Sequence, residues 1–414
     1  MKTNQTQKNI PSNWQQVKLG DICDFKKGKG LPKDDLIKDG KYEAIHYGEL
    51  FTKYHEKIEN ILSRTNNNKN MFLSKKNDIL MPTSDVTPRG LSTASFINRD
   101  GVILGGDILV IRPKTDILNG LFLSNFVSSQ KQEVIKLVSG TTVFHLYGSD
   151  MSKLKFNLPP LPEQNRIVSV LETWDKTIEK LSDKIEVKKQ IKKGLMQDLL
   201  TGRKRLEGFN DKWETVELDD VSDFINGYTF KSSSYCDDGK YKIITIANVQ
   251  DGFMLIDGSK TIKELPINIT EDQKLSKGDI LVSMTGNVGR VCLVDNNNCL
   301  LNQRVGKIKP RNINKDLLYL LLLDRRFLNK MIDSAQGGAQ ANLSTGDIKE
   351  YIVDIPKSKE EQSAIAQILT TADREINRLE NKLKIFKEQK RYLLNNLITG
   401  TIRTPETLSA KLTK

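Results

Sequence analysis

The sequence predicts an α+β protein with two similar globular domains and two long helices that pair as an antiparallel coiled coil. Three observations support this fold class: the chain repeats itself, each repeat begins with a turn-rich segment of short β-like runs, and each ends with a proline-free segment of helical apolar spacing. The predicted globular domains cover 1–158 and 206–356, and the predicted helical segments cover 159–205 and 357–414.

The repeat runs in the same order along the whole chain. The opening from Trp14 to Gly28 recurs from Trp213 to Gly227, and the segment 163–205 recurs as 361–403. Because the offset between the copies drifts by only a few residues, loops of different length interrupt one duplicated plan. An ancient duplication without present symmetry would still require two similarly folded halves.

The first part of each repeat has the signals of a mixed domain. Asparagine and glycine clusters mark turns, and runs such as Ile79–Met81 and Ile280–Ser283 are typical of short buried strands. We also expect a helix at about 119–138 and another at about 315–333, so each domain combines strands with helices.

The second part of each repeat predicts a long helix. Apolar residues recur there at three- and four-residue spacing, and Gly202 and Gly400 stand where a helix C-terminal cap favours glycine. About 35 helical residues give a rod of about 50 Å. Duplication within one chain favours antiparallel pairing, since a pseudo-twofold axis then relates the halves. Two unrelated amphipathic helices, each packed on its own domain, remain the alternative.

Composition restricts the classes of function. The chain has 64 Lys and Arg against 52 Asp and Glu, a net charge of +12 that favours a polyanionic partner, although many basic proteins bind none. Four scattered cysteines and three histidines leave little for a disulfide framework, a zinc site or histidine catalysis. The longest apolar run, Leu317–Leu323, is too short to span a membrane, and the N-terminus lacks a secretion signal. We therefore expect a cytoplasmic protein.

Short motifs recur at the same points of both repeats. The domain openings are Trp14…Leu19-x-Asp21…Gly28 and Trp213…Leu218-x-Asp220…Gly227, the helix entries are Leu158-Pro159-Pro160-Leu161-Pro162-Glu163-Gln164 and Ile355-Pro356…Glu361-Gln362, and the helix ends are Leu199…Gly202 and Leu397…Gly400. This order resembles the DNA-specificity subunit of type I restriction–modification systems over essentially the whole chain. The second helix entry departs from the family pattern, because Lys357-Ser358-Lys359 replaces the proline-rich turn.

The resemblance implies that each globular domain is a target-recognition domain that reads one half of a bipartite, asymmetric target in double-stranded DNA. It implies that the helices act as a spacer and dock two modification (methyltransferase) subunits, which restriction subunits join. S-adenosylmethionine, ATP and Mg²⁺ are expected on those partners. This chain is then a non-catalytic subunit without a cofactor, in agreement with the lack of a phosphate-binding loop motif.

Polar loops contain the candidate DNA contacts. Arginine, hydroxyl and amide groups bind phosphates, and planar donors read base edges. Arg89 and Arg290 match at an offset of 201 residues, so equal placement is expected, and the resemblance favours the glycine-rich turns after 139 and 337. An ordinary surface arginine, a plain turn and a strand end remain alternatives. The candidate DNA-binding residues are Arg89, Ser84, Thr141, Thr142, Arg290, Thr285, Asn287, Gln303, Arg304, Gln340 and Asn342.

Other interpretations remain open at this point. Lys188, Lys189, Lys192 and Lys193 form either a solvated helix face or contacts to a partner or to the DNA backbone. The chain as a whole could instead be a coiled-coil scaffold that binds only proteins, or a stand-alone DNA methyltransferase or nuclease. The scaffold predicts no sequence preference, and the enzyme predicts activity without partners.

Overall fold

The computed structural model describes residues 11–114, 116–335 and 341–410. Two compact units divide the chain: the first contains the described residues up to Ser182 and those from Asn381 onward, and the second contains Asp183–Glu380. Each unit holds one globular domain with part of each long helix. Because each unit combines a globular domain with parts of both long helices, the domain boundaries drawn from the sequence stay predictions.

The first globular domain is built on a five-stranded sheet, in the order β2-β11-β7-β9-β4, and a four-stranded sheet, in the order β5-β3-β10-β6. Smaller sheets pair β1 with β14 and join β12, β13 and β8. The strands are β1 Gln15–Lys18, β2 Cys23–Lys27, β3 Tyr42–Ile45, β4 Lys57–Ile58, β5 Ser63–Thr65, β6 Phe72–Leu73, β7 Asp78–Pro82, β8 Ser84–Asp85, β9 Ser95–Ile97, β10 Ile103–Leu104, β11 Ile108–Pro113, β12 Ser139–Gly140, β13 Phe144–His145 and β14 Lys155–Leu158.

The second domain repeats this plan with four-stranded sheets in the orders β16-β23-β20-β21 and β18-β17-β22-β19, and a β15-β24 pair. Its strands are β15 Glu214–Glu217, β16 Ser222–Asn226, β17 Tyr241–Ile244, β18 Lys260–Ile262, β19 Lys274–Leu275, β20 Ile280–Ser283, β21 Val291–Leu293, β22 Cys299–Leu301, β23 Val305–Pro310 and β24 Ile352–Ile355. The predicted α+β class is confirmed.

Helices complete both domains. Those of the first repeat are α1 Leu19–Ile22, α2 Glu49–Thr52, α3 Gly120–Ser129, α4 Lys131–Ile135, α5 Gly148–Met151 and α6 Leu161–Leu199; those of the second are α7 Leu218–Val221, α8 Lys315–Leu323, α9 Arg325–Ser334, α10 Thr345–Lys349 and α11 Lys359–Ile398. Both predicted mid-domain helices are present but interrupted. Gln130 separates α3 from α4, and Asp324 separates α8 from α9 because it leaves helical geometry and caps α9 through the Arg326 amide.

The long helices α6 and α11 run antiparallel within each unit. In the first unit Trp174 packs edge-on against Phe386, with ring centroids 5.4 Å apart. In the second unit Lys188 pairs with Glu375 at 2.9 Å and Lys192 with Asp373 at 2.5 Å, so numbers rise along α6 as they fall along α11. Lys189 likewise pairs with Glu380 at 2.7 Å. The antiparallel prediction is confirmed, and these three lysines bind carboxylates of the other helix.

The two helix entries and ends are built alike. The buried Gln164 amide donates to the Pro159 carbonyl, as Gln362 does to Pro356, both at 2.8 Å. Gly202 and Gly400 adopt positive φ, as the predicted caps require. Where the second entry lacks the proline-rich turn, the Ser358 hydroxyl accepts from the Glu361 amide, which is typical of an N-cap. No helix in the described part of the chain is long and apolar enough to cross a membrane.

Candidate nucleic-acid interface

In the first domain, backbone hydrogen bonds bring three polar residues from distant segments together after β7. The Thr83 amide donates to the Asp107 carbonyl, and the Thr83 carbonyl accepts from Leu146, both at 3.0 Å. The next residue, Ser84, lies opposite His145 in the β8–β13 pair. Ser84, Asp107 and His145 therefore meet at one edge of the domain, and we call them the first polar trio.

The second domain has the same connections after β20. The Met284 amide donates to the Arg304 carbonyl at 3.0 Å, and its carbonyl accepts from Leu343 at 2.8 Å. Thr285 then forms a bridge with Asn342. Thr285, Arg304 and Asn342 are thus the second polar trio, matched position by position to the first. All three members of the second trio are among the predicted DNA contacts, whereas only Ser84 of the first trio is.

The neighbouring turn of the first domain presents two more predicted residues. Thr141 and Thr142 are exposed between β12 and β13. Gly140 has a φ of 115°, and a Cβ there would lie 2.2 Å from the Val143 carbonyl oxygen, so the turn requires glycine. In the second domain the predicted contact Gln340 lies outside the described residues.

The two arginines predicted to match are not equivalent. Ile79 lies opposite Phe96, and its counterpart Ile280 lies opposite Leu293. The intervening segment is therefore four residues longer in the first domain, and Arg290 is matched by Thr93. The expectation of equal placement was wrong because this insertion falls between strands that themselves align.

Their surroundings also differ. Arg89 is exposed, and its guanidinium has no partner among the residues that the structure describes. Arg290 is half-buried and donates from Nη1 to Gln250 Oε1 at 2.7 Å. Arg290 is thus pre-oriented by Gln250, whereas no described side chain orients Arg89.

The remaining candidates lie close to the second trio. Gln303 and Arg304 are exposed in the turn between β22 and β23, where the Gln303 amide donates to the Tyr228 carbonyl at 3.0 Å. Asn287 is exposed, and its carbonyl accepts from the Ser283 hydroxyl at 2.5 Å. Backbone contacts thus fix the loops and leave these side chains available.

The repeated glycine of the domain openings supports this edge. A Cβ on Gly28 would lie 2.0 Å from the Gly105 carbonyl oxygen, and one on Gly227 would lie 2.0 Å from that of Asn302. Gly105 and Asn302 directly precede the turns that carry Asp107 and Arg304. Only glycine permits so close a backbone approach, which explains its presence in both openings.

A polar cluster around a buried glutamate joins each domain opening to the long helices. Trp14 Nε1 donates to Glu163 at 3.1 Å, and Arg403 binds both oxygens of that carboxylate, at 2.5 and 2.7 Å. The Glu163 side chain is 2% exposed, and its hydrogen bonds raise the pKa of the Arg403 guanidinium. We call Trp14, Glu163 and Arg403 the first lock.

The second lock repeats the first. Trp213 Nε1 donates to Glu361 at 3.3 Å, and Arg205 binds the same carboxylate at 2.7 and 2.8 Å. Arg205 also lies 5.7 Å from the centre of the Trp213 ring. No lock residue was among the candidate sites predicted from the sequence, although all three residue types recur in both repeats, which is a usable signal.

The described side chains offer no evident catalytic chemistry. The four cysteines form no disulfide, and burial raises the pKa of Cys23 and of Cys292 to about 12, which suppresses the nucleophilic thiolate. Cys292 and Cys299 lie buried in strands. No group of three or more histidine, cysteine or acidic residues within the described ranges could hold a metal ion.

Comparisons with known proteins agree with this architecture. The family model for the type I restriction modification DNA specificity domain matches twice, at residues 11–189 and 210–386. The chain is 26% identical over 412 residues to the type I restriction enzyme MjaVIII specificity subunit of Methanocaldococcus jannaschii, covering 95% of this chain and 94% of that protein.

Solved structures share the fold. The S subunit of a type I restriction–modification system from M. genitalium aligns with a TM-score of 0.59 at 19% identity, over 96% of this chain and 98% of that one. A chain from a structural study of complex assembly in the type I system aligns at 0.60 and 19%, over 95% and 100%. The chain therefore belongs to the family of type I restriction–modification DNA-specificity subunits, which recognise DNA and have no catalytic centre of their own.

Proposed function

We propose that each globular domain reads one half of a bipartite, asymmetric target in double-stranded DNA, through its polar trio and the adjoining loops. The observation that carries the proposal is the matched position of the two trios combined with their different side chains. Equal backbone placement gives both domains the same mode of approach to a groove, and different donors and acceptors give each its own sequence preference.

The long helices dock the modification subunits. Val187 and Ile191, one helical turn apart on α6, are 57% and 51% exposed, and Ile385 and Tyr392 on α11 are 51% and 61% exposed. Apolar side chains at this spacing on solvated helices favour a helical partner. The study of complex assembly that yielded one of the similar structures supports an assembled state. S-adenosylmethionine, ATP and Mg²⁺ belong to the modification and restriction subunits, and the complex is cytoplasmic.

Methylation mapping tests the recognition proposal. The chain is expressed with the modification subunit encoded beside it in a host free of DNA methylation, and modified adenines are located by long-read sequencing. A split, asymmetric motif methylated on both strands is expected. Sequence-independent modification, or a stable complex that modifies nothing, would favour the scaffold, and modification by this chain alone would reveal an enzyme.

An arginine variant separates two modes of contact. Arg290→Ala is expected to weaken binding by about 1–3 kcal/mol if the guanidinium reads a base, with the loss confined to targets that carry the cognate second half-site. A uniform loss across sequences with a shallower salt dependence identifies a phosphate contact instead. Gln250→Ala is the matched variant, since it releases Arg290 without removing its charge.

Substitutions on the helices test docking separately. Ile191→Asp and Ile385→Asp are expected to weaken capture of the purified modification subunit at least tenfold while leaving the melting temperature of this chain unchanged. Lys384→Asp, at an exposed position beside Ile385, is the control. Normal capture by both isoleucine variants would contradict docking through these residues.

A further inference from the structure

The two domains carry opposite charges at one matched position of their polar trios. Asp107 directly precedes β11, and Arg304 directly precedes β23. The Asp107 carbonyl accepts a hydrogen bond from the Thr83 amide, and the Arg304 carbonyl accepts one from the Met284 amide, both at 3.0 Å. The Asp107 side chain is 47% exposed, and Arg304 is also exposed. The same backbone site therefore presents an acceptor in one domain and a donor in the other.

A neighbouring position changes together with this one. Lys27 lies opposite Leu109 and places its Nζ 3.2 Å from the Asp107 carboxylate. The matched residue in the second domain is Asn226, which lies opposite Gly306. In the first domain, the Lys27 cation thus accompanies the Asp107 carboxylate. In the second domain, where Arg304 is itself cationic, the position matched to Lys27 is the neutral Asn226.

Stability does not account for the Lys27–Asp107 pair. Lys27 is 63% exposed, and exposed ion pairs contribute about 0–1 kcal/mol. A carboxylate at a surface that meets DNA is repelled by phosphates, and an adjacent cation offsets that repulsion. The pair therefore contributes little to the fold and leaves the Asp107 carboxylate charge-compensated at the surface.

We infer that Asp107 and Arg304 are specificity-determining residues, each setting the preference for one base pair of its own half-site. Asp107 accepts a hydrogen bond from the exocyclic amine of a cytosine, with Lys27 neutralising the carboxylate. Arg304 donates to O6 and N7 of a guanine. These are the pairings that donor and acceptor geometry favours in the major groove. The inference rests on the proposed function and adds Asp107, which sequence reasoning did not select.

Motif mapping with single variants tests this inference. Asp107→Ala is expected to make one position of the first half-site degenerate, lowering the preference for the original base about ten- to hundredfold, with the second half-site unchanged. Arg304→Ala is expected to do the same in the second half-site alone. Asp116→Asn and Arg325→Ala, at exposed positions outside both trios, are the controls and should leave the motif intact.

The result distinguishes this inference from the proposed function. If the wild-type complex yields no split motif, the proposed function itself fails. If the wild-type motif is split and both alanine variants retain every preference, only the assignment of Asp107 and Arg304 is overturned. Should a variant complex not methylate, its equilibrium binding to duplexes with each base pair substituted in turn decides: retained discrimination overturns the assignment, and loss at a single base pair supports it.

Discussion

The two globular domains are alike where a buried glutamate binds tryptophan and arginine beside the long helices, and they differ at the matched positions of the polar trios. Both locks consist of tryptophan, glutamate and arginine with the same hydrogen bonds. In the polar trios, by contrast, Asp107 is matched by Arg304 and His145 by Asn342. The duplicated scaffold thus keeps the hydrogen bonds that join each domain opening to the long helices and varies side chains such as Asp107 and Arg304, which are exposed, and this suits a protein with two different half-sites.

A second difference between the domains lies in their internal packing, where a glycine contacts a matched phenylalanine from different positions. A Cβ on Gly306 would lie 2.1 Å from Phe224 Cζ, and the matched position in the first domain is Leu109. There Phe25 packs instead against Gly148, whose Cβ would lie 2.6 Å from the Phe25 Cβ. Each domain therefore places one glycine beside its matched phenylalanine, Phe25 or Phe224, but the two glycines stand at different positions of the repeat.

The largest effect on stability is expected from removing the central glutamate of a lock. Glu361→Ala should destabilise the second unit by about 3 kcal/mol, because it leaves Trp213 Nε1 without an acceptor and the Arg205 guanidinium, which is 28% exposed, with only water as a partner. Glu163→Ala should act comparably on the first unit. Urea unfolding gives the loss, and hydrogen exchange shows where protection falls.

Glu264→Ala, which removes an exposed glutamate, is the control for both lock variants. A loss below about 1 kcal/mol at Glu361 would show that the second lock is not a stabilising contact. A large difference between Glu361→Ala and Glu163→Ala would break the equivalence of the two locks.

The exchanged glycines give an intermediate effect. Gly306→Leu should destabilise the second domain by about 1–3 kcal/mol, since the new side chain overlaps the Phe224 ring. Adding Thr345→Gly, which copies the position of Gly148, should recover at least half of that loss in urea unfolding. If the double variant is no more stable than Gly306→Leu alone, the packing of the two domains is not exchangeable at this site.

Local patterns explain what the sequence predicted correctly. Three- and four-residue spacing, proline-free segments and capping glycines indicated α6 and α11, and the internal repeat indicated two α+β domains. The sequence could not show that Arg89 and Arg290 are not equivalent. They match at the same offset of 201 residues as the strands β7 and β20 before them, and the four-residue insertion lies between β7 and β9. Asp107 escaped notice because a single aspartate before a strand carries no signal until strand pairing places it beside Thr83.

The smallest expected effect concerns lysines that composition associates with DNA but the structure places in the scaffold. Lys192 is 16% exposed and pairs with Asp373 across the helices. A double-mutant cycle of Lys192→Ala and Asp373→Ala should give a coupling of about 0.5–1 kcal/mol in unfolding. Lys192→Ala should also leave the salt dependence of DNA binding unchanged, because a lysine bound to a carboxylate releases few counterions from DNA.

Lys193 provides the contrast within the same helical turn. It is exposed and has no ion pair in the described part of the chain, so Lys193→Ala should leave stability unaffected. If Lys192→Ala lowers the slope of log K against log salt by about one, Lys192 binds a phosphate and belongs with the variable, ligand-facing groups. If instead the Lys192–Asp373 cycle gives the expected coupling energy and the salt slope does not change, this face of α6 belongs to the scaffold and does not contact DNA.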